Sequence, residues 1–306
     1  MKIIIAGAGA IGGYYGGVLA HTGHDVFFIA RGAQLTALRE RGLCVKSING
    51  DFTLLSPKCG ENADSFGYAD LILVCFKSYD TANTLDLYKA GVGPDTAIIS
   101  LQNGVDNEDV IVGRYGADKV LGGVSFIGSR VESPGVILHT AASNIAIGEL
   151  GGGVTGRVKK IGEVFEKASV KCKVSGDIKR DMWGKTIWNI GFNALCAILD
   201  CSAQEAIRFE ETRLVVRTAM LEWIAVAQAV GVDLTPDMAD KHIERTATAG
   251  EVIPSMLQDK RAARRMEVDT FNGKAVELGL KHGVGTPVNT MLTAIIRFWN
   301  NGRMRD

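Results

Sequence analysis

Lys2-Ile3-Ile4-Ile5-Ala6-Gly7-Ala8-Gly9-Ala10-Ile11-Gly12, at the start of the 306-residue chain, decides how the first half folds. Residues 2–6 are short, apolar and mostly β-branched, as in a strand buried within a parallel sheet. The glycines follow at once, and a small-residue helix is predicted from Gly13 to Ala20. Gly7 permits a tight turn, Gly9 lets a pyrophosphate approach the backbone, and Gly12 lets helix pack close to strand. The helix N-terminus then offers free N–H groups and a positive dipole end to phosphate, with Ala8, Ala10 and Ile11 completing the loop. A second strand, Asp25–Ala30, arrives in the required order. The pattern predicts a dinucleotide-binding Rossmann-type unit, against the alternative of a glycine-rich turn without ligand.

The end of the second strand bears on which dinucleotide. An acid there would accept from the ribose hydroxyls of NAD, whereas this chain has Arg31, followed by Gly32 and Gln34. A guanidinium suits a 2′-phosphate, which favours NADP(H). The other readings of Arg31 are stacking on adenine or simple solvation. Two further strands, 71–76 and 97–101, end at Lys77 and at Gln102-Asn103-Gly104. Ligands of doubly wound sheets lie at the carboxyl ends of strands, so Lys77 and Asn103 are candidates to meet a nicotinamide ribose or a substrate. Ordinary loop polarity is the alternative for both. Strands are also predicted over 120–129 and 136–150, a helix capped by Thr155 runs to Ala168, and another strand covers 170–174. The sheet is expected to mix strand directions. Only helical patterns follow, which sets the expected boundary at Gly176-Asp177-Ile178, with a Rossmann-type α/β domain over 1–176 and an all-α domain over 177–306.

The second half opens on a helix, residues 183–199, that is apolar almost throughout. Lys185, Asn189 and Asn193 interrupt it at spacings of four, forming one drifting stripe on a single face. The stripe is roughly 12 Å long at the helical rise. Burying an ammonium and two amides without partners costs several kcal/mol apiece, so something polar must meet them. Either the core satisfies them internally or a ligand does. Helical periodicity continues over 208–230, 238–247, 256–282 and 286–300, with Gly231 and Gly283 as stop signals and Pro287 near the last start. Ser255 and Gln258 read as a capping box at the start of the long helix, and a cap on such a helix also offers N–H donors to an anion. Lys260, Arg261, Arg264 and Arg265 read as a solvated basic face. Glu267, beside apolar Met266 and Val268, is the candidate carboxylate partner for a site lysine, a surface glutamate being the alternative.

Composition narrows the classes further. Lys plus Arg equals Asp plus Glu at 34 each, which removes the general electrostatic argument for nucleic acid or an anionic membrane as partner. No apolar run is long enough for a bilayer span, and the N-terminus is not a signal peptide. Six cysteines show no CxxC pair and no metal-ligand grouping with the five histidines, which reads as reduced thiols in a cytoplasmic protein without a metal. Trp223 and Trp299 on the helical half could serve a homodimer interface, and core packing explains them equally well.

The chain resembles the ketopantoate reductase (2-dehydropantoate 2-reductase) family. The resemblance rests on Gly7/Gly9/Gly12, Lys77, Asn103-Gly104, Lys185/Asn189/Asn193, Ser255-Met256-Leu257-Gln258-Asp259 with Glu267 twelve residues after the serine, and Gly285-Thr286-Pro287. It covers essentially the whole chain. It implies NADPH-dependent reduction of a 2-oxo acid, ketopantoate to pantoate in pantothenate and coenzyme A synthesis. By the same resemblance Lys185 is the general acid, Asn189 and Asn193 anchor the substrate, and Ser255 holds its carboxylate. Glu267 sits beside the cofactor and Lys185, Lys77 and Asn103 contact NADP(H), Asn103 also reaches the substrate, and Ser129 joins the cofactor contacts. Burial should lower the Lys185 pKa and a carboxylate such as Glu267 should offset the shift. Two departures stand out: His139-Thr140-Ala141 where many members have His-x-Gly, and Ala203 where some carry a further asparagine. Two rivals remain, a related reductase acting on another 2-oxo or 3-hydroxy acid, since Lys-x3-Asn also occurs in β-hydroxyacid dehydrogenases, and a non-catalytic NADPH-binding regulator.

Overall fold

The apolar run that opens the chain becomes the strand β1 (Lys2–Ala6), near the middle of a ten-stranded sheet. A computed structural model describes residues 1–302, in two compact units, Met1–Asp181 and a second from Met182 onward. The other strands are β2 (Asp25–Ile29), β3 (Leu43–Ser47), β4 (Phe52–Leu54), β5 (Lys58–Gly60), β6 (Leu71–Val74), β7 (Ala97–Ser100), β8 (Val120–Ser133), β9 (Val136–Glu149) and β10 (Cys172–Val174). Their order is β4-β3-β9-β8-β7-β6-β1-β2-β5, with β10 also on β9. The β8–β9 and β3–β4 pairs are antiparallel and the remaining pairs parallel, so the expected mixture of directions is present.

Burial on both faces of β1 explains why residues 3–6 are all apolar. Ile3 and Ile5 join one core with Phe28, Leu73 and Ile99, while Ile4 and Ala6 join a second with Phe27, Ile72 and Ile98 on the opposite face. Five helices serve this unit: α1 (Ala10–His21), α2 (Gly32–Arg41), α3 (Thr81–Thr84), α4 (Asn107–Tyr115) and α5 (Gly156–Lys167). Thr155 caps α5 as its sequence predicts, its side chain accepting from Val158 N. The long β8–β9 hairpin returns over α1, where Tyr15 Oη donates to Asn144 O at 3.3 Å and the Tyr14 and His139 rings lie 4.3 Å apart. His139 is fully enclosed there, its Nδ1 2.8 Å from Ser47 Oγ.

Helix α6 (Ile178–Leu199) begins before the division and carries the polar stripe. The second unit adds α7 (Ala203–Ala206), α8 (Glu210–Ala229), α9 (Asp237–Thr248), α10 (Ser255–Arg261), α11 (Asn272–His282) and α12 (Pro287–Gly302), so the expected pairing of a Rossmann-type unit with a helical one is the observed fold. Helices α6 and α8 approach closely at Gly191, where a Cβ would stand 2.4 Å from Met220 Cε. Trp183 and Trp223 stack at 4.5 Å, and Trp223 Nε1 donates to Trp183 O. Trp223 is therefore core, not the interface residue that its sequence position allowed.

The fold departs from three expectations of the sequence. The helix predicted over 256–282 is broken after Arg261, because Ala263 turns left-handed at φ +53° and Arg264 N closes the turn on Asp259 O. Residues 268–270 form a 3-10 turn before α11 starts. The break is held from outside the segment, since Met266 N donates to Asn300 Oδ1 and Asn300 Nδ2 donates to Met266 O. Ser255 is the first residue of α10 and not its cap, which is Pro254. Lys260 is not part of a solvated face: its ammonium donates to Ala197 O near the end of α6 and lies 4.5 Å from the Trp299 ring centre.

Candidate active site

The glycine loop is built as its spacing requires. Gly7 adopts φ +109°, and a Cβ there would lie 2.9 Å from Phe76 N. At Gly12 a Cβ would meet Gly7 O at 2.1 Å and Ile5 Cγ2 at 2.7 Å, so no larger residue allows α1 to start this close to β1. At Gly9 a Cβ would meet nothing within 4 Å, which leaves bare backbone accessible to a phosphate. The amides of Gly7 and Ala8 are engaged by Ile29 O. Those of Ala10, Ile11 and Gly12 belong to the first helical turn, which has no intrahelical acceptors. This loop fits the pyrophosphate of a dinucleotide. When bound, such a cofactor supplies a hydride.

Around the loop the first unit fixes the candidate contacts. Arg31 caps α2, and its guanidinium, 83% exposed, pairs with Asp80 at 3.4 Å. Gln34, read from sequence only as a polar neighbour, is a brace: Nε2 donates to Ala8 O and Oε1 accepts from Gly135 N. Lys77 caps the 3-10 turn Ser78–Asp80 just beyond β6. Asn103 follows β7, and its carbonyl accepts from Asn107 Nδ2 at 2.7 Å. A buried relay joins these two loops: Gln102 Nε2 donates to Phe76 O and Thr81 Oγ1, and Thr81 Oγ1 donates to Asn107 Oδ1. Nothing in the local sequence marked Thr81 or Asn107, because the relay exists only once β6 and β7 lie side by side. Glu108, in the first turn of α4, is buried so thoroughly that its carboxyl pKa is pushed up to about 8. Ser129 stands in β8 opposite His139, and its Oγ has no hydrogen-bond partner among the described residues.

In the second unit the stripe on α6 forms a connected chain. Asn193 Oδ1 accepts from Ser255 Oγ and from Met256 N, both at 3.5 Å, and Asn193 Nδ2 donates to Asn189 Oδ1 at 3.3 Å. Asn193 is fully buried, so the start of α10 satisfies the far end of the stripe internally. Among the described residues no hydrogen bond uses the Asn189 amide nitrogen, which leaves that donor one helical turn from Lys185. Lys185 is partly exposed on α6. Burial pushes its ammonium down from the ordinary lysine range to about 8, and the Glu267 carboxylate opposes that shift. Glu267 is 6% exposed and caps the 3-10 turn that follows the broken helix. The break in 256–282 is thus what brings a carboxylate to the lysine.

An ammonium with a lowered pKa, a neighbouring carboxylate and an amide donor are the groups that stabilisation and protonation of a developing oxyanion require. Among the described residues no cluster of His, Cys, Asp or Glu is arranged to hold a metal ion, and no helix is long and apolar enough to cross a membrane.

Comparison with known proteins covers both units. The family described as ketopantoate reductase PanE/ApbA matches residues 3–152, and its C-terminal family matches residues 177–300. A 2-dehydropantoate 2-reductase of Mesorhizobium japonicum is 31% identical, over 97% of this chain and 97% of its own length. The crystal structure of 2-dehydropantoate 2-reductase from Geobacter metallireducens superposes with TM-score 0.92 at 36% identity, covering 97% of this chain and 99% of that one. D-mandelate dehydrogenase, solved with NADH and anilino(oxo)acetate, superposes with TM-score 0.93 at 26% identity, covering 99% of each chain. The chain belongs to the ketopantoate reductase family of oxidoreductases.

Proposed function

We propose that this enzyme reduces a 2-oxo acid to the 2-hydroxy acid with NADPH, ketopantoate to pantoate being the reading that its relatives favour. The carrying observation is the partly buried Lys185 with Glu267 and the spare Asn189 amide beside it. As hydride arrives at the ketone carbon, negative charge gathers on the carbonyl oxygen. Lys185 stabilises that charge and transfers its proton to the oxygen, becoming a neutral amine. Glu267 keeps the amine basic enough to be protonated before the next turnover. Asn189 hydrogen-bonds the substrate, and Ser255, exposed at the start of α10, meets its carboxylate. Asn193, being fully enclosed, acts by holding Asn189 and Ser255 in place. Gly7–Gly12, Lys77, Asn103 and Ser129 hold the dinucleotide, and Arg31 receives its 2′-phosphate.

A second reading keeps the chemistry and changes the substrate and cofactor. It is favoured by the likeness to D-mandelate dehydrogenase with NADH and by Ala203, a small, fully buried residue. A panel of branched and aryl 2-oxo acids with NADPH and NADH, followed by loss of reduced-cofactor absorbance, separates the two. Highest kcat/KM for ketopantoate with NADPH is expected. Preference for an aryl 2-oxo acid with NADH would install the second reading. Tight NADPH binding with no turnover on any member would make the chain a binding protein.

A further inference from the structure

Behind the amide stripe, the second unit buries another polar chain that the reaction chemistry does not use. Glu222 on α8 is 8% exposed. It accepts from Val288 N at 2.9 Å, Asn289 N at 3.0 Å and Asn289 Nδ2 at 2.6 Å. The two backbone donors open α12, where amides have no helical acceptor and the dipole favours an anion. Asn289 Nδ2 also donates to Ala219 O at 3.1 Å. Its Oδ1 therefore faces outward along the chain and accepts from Asn272 Nδ2 at 2.8 Å. Asn272 sends its other amide hydrogen to Ile190 O at 3.0 Å. Because a carboxylate only accepts, the direction of every bond in the chain is fixed. Both asparagines are fully buried.

Through Asn272 this chain joins the helix that carries Lys185 to the segment that follows Glu267. Ile190 follows Asn189 on α6, the helix of Lys185. Asn272 opens α11, five residues after Glu267, and the intervening segment is a 3-10 turn with Thr270 N on Glu267 O and Phe271 N on Val268 O. Such a short hydrogen-bonded segment leaves Glu267 little freedom once Asn272 is fixed. We propose that Glu222, Asn289 and Asn272 are positioning residues for the reduction, holding the Glu267 turn in register with the Lys185 helix. The inference rests on the functional reading given above for Lys185 and Glu267.

The test compares Asn272→Ala and the milder Glu222→Gln with Lys185→Ala, in the full chain with NADPH and the best 2-oxo acid of the panel. Both positioning variants should lower kcat about 100-fold through misplacement of the acid, with the cofactor Kd unchanged. They should also move the alkaline fall of the rate below its normal midpoint, because a displaced Glu267 supports the ammonium less. Glu267 is the described charge that acts on Lys185. His242, whose ring bonds the Gly184 backbone, is held below the ordinary histidine range by burial and Arg245, and stays neutral throughout that limb. A lowered kcat with an unmoved midpoint, or an unchanged kcat, overturns the inference. If Asn272→Ala fails to fold, as judged by NADPH binding and a thermal melt, Glu222→Gln decides by the same two readouts. Full turnover by Lys185→Ala would sink the functional reading instead, and the two failures are distinguishable.

Discussion

Reduction should lose rate as pH rises through about 8, and the reverse reaction should gain it there. Burial pulls the Lys185 ammonium from 10.5 to about 8 against the opposing pull of Glu267. Reduction needs the protonated lysine, so kcat should be flat at neutral pH and then fall about tenfold per pH unit above the midpoint. Oxidation of the hydroxy acid needs the neutral amine, so its rate should rise over the same interval. An unperturbed lysine would hold reduction flat to about pH 10. The assay is initial rate by cofactor absorbance at saturating substrates, at constant ionic strength because charge pairs respond to screening. Glu267→Gln removes the charge that raises the pKa, so its midpoint should lie lower than the parent's. Lys185→Arg keeps a positive charge that does not titrate in this range, and should be slow with no alkaline limb. A rate of reduction that stays constant through pH 9.5, or limbs of the same sign in both directions, would refute Lys185 as the acid.

Two further outcomes follow from the first unit. Arg31→Ala should weaken NADPH about tenfold, the value of one charge-assisted hydrogen bond, and leave NADH nearly untouched, as read by fluorescence titration of each cofactor. Equal loss for both cofactors would assign Arg31 to adenine stacking. Gly12→Ala drives a Cβ into Gly7 O and Ile5, a backbone clash that a rotamer change does not relieve. It should lower the unfolding free energy by about 1–3 kcal/mol and abolish tight cofactor binding, measured by denaturant titration with and without NADPH.

How much of this was legible in sequence depended on how local each signal is. The β1 strand, glycine loop and α1 succeed one another within residues 2–21, so their geometry is written in consecutive letters. The stripe at 185, 189 and 193 is equally local, since a helix turns every 3.6 residues. Glu267 was singled out by its apolar neighbours Met266 and Val268 and by the family resemblance, but its setting was not legible. The stop after Arg261 uses Ala263 in a left-handed turn, without the glycine that usually announces one, and depends on Asn300, 34 residues beyond Met266. Trp223 shows the same limit, because an apolar helix face reads alike whether it meets its own core or another subunit. The Gln102–Thr81–Asn107 relay and the Glu222–Asn289–Asn272 chain were invisible because their members carry no motif and meet only through tertiary packing.

The place of β3 in the sheet has a consequence for how the molecule is made. β2 and β3 are neighbours in sequence yet stand near opposite ends of the strand order, and β3 pairs with β9, Cys44 lying opposite Val136. Tyr15, midway along the helix that follows the glycine loop, bonds a carbonyl 129 residues later in the chain. During synthesis the first fifty residues therefore emerge without the partner that closes over α1, and non-local parallel pairing of this kind is slow to form. The loop that would hold a dinucleotide is synthesised well before β9 and is among the last parts to be sealed. Cofactor affinity thus reports on completion of the whole first unit, and a nascent chain stopped before β9 should capture little of it.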